Sequence, residues 1–168
     1  DLFVLCFLLR GALPHRALWD SWFRHPQIQA IFHPKDVTAL PEDLHPLCTS
    51  QIVPTQWGTS SIVKAMIQLL YDGLARYPTA THFHFLSESC VPIVDAQACI
   101  NEMRKYVSWI PSGFYYRSRR SVLATTQWIT VCREHAEHLV KHEQRVLEVA
   151  THAEQQGVPD EYAIAQFL

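Results

Sequence analysis

The sequence predicts a single α/β domain over residues 1–168, built on a largely parallel sheet flanked by helices. Two observations predict it. Short apolar runs of strand length alternate along the chain with longer stretches whose apolar residues recur at helical spacing. The run at 81–86 then stops on small or polar residues, Ser87-Glu88-Ser89-Cys90, ahead of Pro92. A buried strand ends this way when it delivers chemistry to the edge of a sheet, because open α/β sheets bind ligands beyond the carboxyl ends of their strands. A chain of 168 residues suits one domain with a core, burying roughly two-thirds of its unfolded surface.

Taken in order, Leu2–Leu9 reads as a fully buried strand, broken at Arg10-Gly11. Pro14 opens a helix whose apolar side is Ala17, Leu18, Trp22 and Phe23, ending near His25-Pro26. Residues 27–32 form a short strand stopped by His33-Pro34, and a proline-rich loop spans 35–49. Another short strand is expected at 51–53, before Pro54. Thr59 or Ser60 can cap the next helix through its hydroxyl. That helix carries a broad stripe of Ile62, Val63, Met66, Ile67, Leu69, Leu70, Gly73 and Leu74, suited to packing on a sheet. Pro78 ends it, and the strand at 81–86 follows. Residues 95–106 read as a helix with Ala98, Cys99 and Met103 inward, 113–116 as a strand or hairpin edge, and 127–131 as strand-like. Residues 134–155 are helical, with Gly157 marking the end, and Asp160 begins a last helix.

Composition narrows the function. Net charge is −2 and apolar residues make up 48% of the chain, so the domain is globular and shows no electrostatic bias toward nucleic acid or anionic membrane. The eight-residue apolar run at Leu2–Leu9 is far short of the roughly 20 residues a bilayer span needs. The five cysteines are odd in number and contain no C-x-x-C, against a disulfide scaffold or zinc knuckle. Glycine motifs for dinucleotides, P-loops and nucleophile elbows are absent.

Four segments, in order, resemble the core-2/I-branching β-1,6-N-acetylglucosaminyltransferase family, including its plant branch. Phe7-Leu8-Leu9-Arg10-Gly11-Ala12-Leu13-Pro14 is similar to the family's opening strand and R-G-x-L-P turn. Gln56-Trp57-Gly58-Thr59-Ser60-Ser61-Ile62-Val63-Lys64-Ala65 resembles W-G-x-x-S-[ML]-V-x-A. Leu86-Ser87-Glu88-Ser89-Cys90-Val91-Pro92-Ile93 is similar to L-S-E-S-C-[IV]-P-[IL]. Thr126-Gln127-Trp128, and later Pro159-Asp160-Glu161-Tyr162, resemble S-Q-W and P-D-E-[HY]. The resemblance implies a GT-A-like inverting glycosyltransferase, taking N-acetylglucosamine or a related sugar from a UDP-sugar to a glycan or glycoconjugate hydroxyl. It implies no D-x-D motif, with residues 87–90 standing in its place and no divalent metal or other cofactor required. A eukaryotic member would act in the Golgi lumen, a viral or bacterial one in the cytoplasm.

The resemblance also distributes roles. Glu161 matches the family's catalytic carboxylate, and an inverting displacement needs one base to take the acceptor's proton; Asp160 caps the turn or orients its neighbour. Arg10, Gly11, Trp57, Gly58, Ser87, Glu88, Ser89 and Cys90 fall on the donor side. Cys90 has no base or orienting partner nearby in sequence, so its part is structural. Positive charge is needed for the leaving diphosphate, and Arg117, Arg119 and Arg120 are the candidates for phosphate or acceptor, with Trp128 a stacking surface. Related enzymes carry basic residues beyond the point matching Leu168, so the resemblance implies a minimal or C-terminally shortened form.

Two other readings compete. A degenerate member would bind nucleotide or glycan without turnover. A metal-dependent or cysteine hydrolase would rest on Cys90 or on the helical trio His135, His138 and His142; the strand pair His82 and His84, like the trio, shares a face that could ligate zinc. The trio sits amid Glu134, Glu137, Lys141 and Glu143, which is how a solvated helix face reads.

Overall fold

The computed structural model describes residues 1–117, 120–155 and 159–168; for 112–117 and 120–124 the backbone alone is described. Strand β1 (Leu2–Leu9) lies between β2 (Ile28–Pro34) and β3 (Ala80–Ser87), parallel to both. A short strand β6 (Thr130–Cys132) runs antiparallel along β3, giving the order β2-β1-β3-β6. The hairpin β4 (Ser112–Arg117) and β5 (Arg120–Thr125) forms a second, two-stranded sheet.

Alternation along β1 builds two cores at once, because successive side chains point to opposite faces. Phe3, Leu5, Phe7 and Leu9 join Trp19 and Trp22 of α1 (Arg16–Phe23) and Ala96 and Ile100 of α3 (Ala96–Met103). Val4 and Cys6 face the opposite layer, made by α2 (Ser60–Arg76), α4 (Arg133–Lys141), α5 (Glu143–Glu154) and the short α6 (Ala163–Phe167). Both faces of β1 are therefore covered, which accounts for its nearly unbroken apolar sequence. Phe83 and Phe85 of β3 are fully buried on the α2 side, where the missing side chain of Gly73 admits the Phe83 ring: a Cβ there would stand 3.1 Å from the ring edge.

Several expectations are corrected. Helix α1 buries the expected Trp22 but adds Trp19, and it leaves Ala17 and Leu18 exposed. Trp19 meets both Phe7 and Trp22 edge-on, ring contacts that alanine and leucine could not supply. Helix α3 similarly buries Ala96 and Ile100, with Ala98 exposed. No strand forms at 51–53; β2 instead makes an isolated bridge to Cys48, and the chain beyond is held by side chains. Thr59 is the N-cap residue of α2, but its hydroxyl bonds the Gln56 carbonyl and makes no cap. The Ser60 N–H is taken by the Glu154 carboxylate of α5, a cap supplied from another element. The long C-terminal helix breaks at His142 into α4 and α5. Its expected end, Gly157, lies outside the described residues.

Candidate functional site

The chain leaves β1 for β2 on one side and returns through α2 to β3 on the other. The carboxyl ends of β1 and β3 therefore flank a topological switch point, where open α/β sheets form their ligand crevice. A cleft of about 670 Å³ opens there. Its wall includes Arg10 after β1, Ser87, Glu88 and Ser89 after β3, Trp57 ahead of α2, and Gln127 and Asp160 from the C-terminal part of the chain. Residues from four separate sequence motifs thus meet at one place.

Each residue expected on a donor side has a definable local role. Residues 87–90 form a turn closed by the Cys90 N–H to the Ser87 carbonyl at 3.1 Å. The Ser87 and Ser89 hydroxyls are 2.9 Å apart, and the Cys90 sulfur accepts the Ser87 N–H at 3.4 Å. The Cys90 carbonyl accepts the Trp19 indole N–H, so α1 braces this turn. Cys90 lies outside the cleft lining and packs toward the α1 layer, in keeping with a structural part. Glu88 turns back across the switch point and accepts the Arg10 N–H at 3.3 Å, with the Arg10 guanidinium 3.6 Å from its other oxygen. The Arg10 side chain is 84% exposed, leaving most of its fork open to the cleft.

Trp57 is 80% exposed at the cleft wall, a large apolar ring that the core does not claim. Gly58 follows it at φ 76°, a left-handed conformation that favours glycine, and this turn leads into α2. Gly11 is not part of the cleft lining, and a Cβ placed on it would stand 3.6 Å from the Ala39 Cβ, an ordinary contact. Trp128 is 43% exposed but its neighbour Gln127, not Trp128, lines the cleft.

The Pro159-Asp160-Glu161 segment is a turn preceding α6, not the helix's first turn. Asp160 lines the cleft, and burial holds its carboxyl above the usual carboxylate range against the pull of the Asp160 and Glu161 backbone N–H groups. Glu161 is not in the cleft lining; its carbonyl accepts the Thr125 N–H at 2.7 Å, tying the turn to the end of β5. Arg117 and Arg120 face each other across the β4–β5 hairpin in backbone register. Arg119 lies outside the described residues.

Sequence reasoning missed Lys35, His33 and Thr55, all of which line the cleft. The rule that drew attention to residues 87–90 covers Lys35 too, since it is the first residue beyond β2. Its N–H bonds the Leu9 carbonyl at 2.8 Å, setting it beside Arg10. His33 is 1% exposed, and its Nε2 accepts the Val53 N–H at 2.9 Å.

The histidine groups behave differently from a metal site. His84 bonds Thr130 Oγ1 at 2.7 Å, and His82 stacks on Phe3. His135 is bonded to Ser108 Oγ, while the rings of His138 and His142 lie against Phe167. Among the described residues, no three His, Cys, Asp or Glu side chains are grouped to hold a metal ion. All five cysteines are free, and no described helix is long and apolar enough to cross a membrane.

The chain is similar to the glycosyltransferase BC10 of rice (Oryza sativa subsp. japonica), with 24% identity over 176 residues that cover 92% of this chain and 44% of the relative. The chain thus spans less than half the length of the curated relative it matches. No protein-family profile matches it.

Proposed function

We propose that this domain is the donor-binding part of an inverting glycosyltransferase, and that the cleft at the β1/β3 switch point takes a nucleotide-sugar. The observation that carries the proposal is the convergence in that cleft of Arg10, Trp57, residues 87–89, Gln127 and Asp160, drawn from motifs far apart in sequence. The similarity over 92% of the chain to a protein named as a glycosyltransferase supports it.

In this reading the donor is a UDP-sugar carrying N-acetylglucosamine or a related hexose. Trp57 stacks on its base or sugar face, a contact worth roughly 1–3 kcal/mol per base. Arg10 and Lys35 meet the diphosphate as charge-assisted donors, with Arg117, Arg119 and Arg120 as the further phosphate or acceptor contacts that the family resemblance suggests. Glu88 is the one carboxylate in the turn that replaces a D-x-D motif, and it is already engaged by Arg10. A lone, paired carboxylate is a poor holder for a divalent ion, so the chain's own cations stabilise the leaving group.

The acceptor hydroxyl attacks the anomeric carbon as the bond to the UDP oxygen breaks; its proton passes to a carboxylate of the 160–161 turn and the anomeric configuration inverts. Glu161 holds the role that its motif resemblance assigns. Asp160 is the competing base, favoured by its place on the cleft wall and its raised proton affinity. Incubation with UDP-N-acetylglucosamine in the presence of EDTA tests the proposal through UDP release, with and without glycan acceptors. Release that survives the chelator supports it, and release that returns only with added metal contradicts the stabilisation of the leaving group by the chain's own cations. Saturable UDP-sugar binding without any release, unchanged in Glu161→Gln, marks instead a binding module without turnover.

A further inference from the structure

The wall of the cleft at Trp57 has little backbone support. Upstream, Ser50 is held by Asp72 of α2 through its N–H and its hydroxyl, at 2.8 and 2.7 Å. Downstream, the Gln56 N–H is held by Ser61 Oγ at 2.9 Å. Between them, among the described residues, one hydrogen bond ties the segment 51–55 to another element: the Val53 N–H to His33 Nε2. Pro54 has no N–H to add.

We propose that His33 is a positioning residue for the loop 50–58: its neutral imidazole pins Val53 and with it Thr55 and Trp57 against the cleft, and its protonation releases them. The inference rests on reading the cleft as a nucleotide-sugar site. An imidazole accepts at Nε2 only while neutral; in the cation both ring nitrogens donate, and Nε2–H would face the Val53 N–H. Burial in the sheet keeps His33 below its ordinary proton affinity, opposed first by a hydrogen bond to its own backbone and then by the negative charge of Asp72 on α2. The charged groups on the same cleft are Arg10 beyond β1, Lys35 beyond β2, Glu88 beyond β3 and Asp160 before α6, two cations against two carboxylates.

Calorimetric titration with UDP-N-acetylglucosamine from about pH 8 to about pH 4 tests this, because a diphosphate diester keeps its charge over that range, which extends below the ordinary histidine value from which burial shifts His33 downward. Wild-type affinity is expected to fall about tenfold on acidification, which is what loss of one hydrogen-bonded anchor yields. In His33→Gln the amide oxygen replaces Nε2 as an acceptor at every pH, so affinity matches the wild type at high pH and stays there. His33→Ala binds weakly throughout. Hydrogen exchange of the Val53 amide, read without ligand, is slow in wild type and His33→Gln at high pH and fast in His33→Ala. A pH-independent wild-type affinity, a retained acid loss in His33→Gln, or equal Val53 protection in His33→Ala overturns the inference. Absence of UDP-sugar binding at any pH overturns the donor reading instead, and Val53 exchange in acid then decides the role of His33 alone.

Discussion

Asp160 and Glu161 differ in what surrounds them, and that difference is testable. Asp160 stands on the cleft wall with a raised carboxyl, while Glu161 is anchored through its backbone to Thr125. In the proposed transfer, replacing the base with its amide should lower the turnover rate by about 10²–10⁴-fold with donor affinity unchanged, since general-base catalysis contributes on that scale. Glu161→Gln and Asp160→Asn, assayed side by side, identify which one it is; equal small losses in both would remove the turn from the chemistry. His84 carries a stability prediction of a different kind. Burial lowers its pKa from 6.5 to about 4, so it stays neutral in the fold while the unfolded chain takes up a proton. The stability this represents is complete above about pH 6.5 and drains away as pH falls toward 4, by roughly 3 kcal/mol at most. His33 and His82, also lowered by burial, act in the same direction. Urea unfolding between neutral and acid pH should therefore show a falling midpoint, and a shallower fall in His84→Gln.

At the level of elements, existence was more legible than orientation. The stripe on α2 and the unbroken apolar run of β1 predict their elements correctly, because burial on a wide face leaves few polar exceptions. On α1 the expected Trp22 is buried, but Ala17 and Leu18 are not: Trp19 takes their place, because helical spacing alone admits either set and only packing against the Phe7 and Phe32 face of the sheet selects the larger ring. The cap of α2 was illegible for a related reason: Glu154 is 94 residues from Ser60, and no local pattern reveals it. Glu154→Gln weakens that charge-assisted contact and should lower the thermal midpoint, while Thr59→Ala, whose hydroxyl does not cap, leaves α2 still capped. Gly73→Val places a branched side chain where even a Cβ meets the Phe83 ring at 3.1 Å. Phe83 is fully buried and cannot yield freely, so chemical denaturation should report a loss of about 1–3 kcal/mol, the usual cost of overpacking.

Over the whole molecule, the order β2-β1-β3-β6 converts distant motifs into neighbours. Arg10 and Glu88 are 78 residues apart and meet because β1 and β3 run parallel in register and end together. The resemblance located these residues along the chain; the strand order explains why they converge. Lys35 and His33 escaped sequence reasoning because they belong to no motif and become cleft residues only through the position of β2. Trp57 was ambiguous in sequence between core and ligand surface, and its 80% exposure removes it from the core. The central claim is that this cleft holds a nucleotide-sugar, and titration calorimetry with UDP-N-acetylglucosamine in EDTA, on wild type and Trp57→Ala, tests it most directly. The account predicts saturable one-site binding that survives the chelator and weakens about tenfold or more in Trp57→Ala, in line with the loss of one stacked ring. No binding at millimolar UDP-sugar, or an affinity indifferent to Trp57, would contradict it.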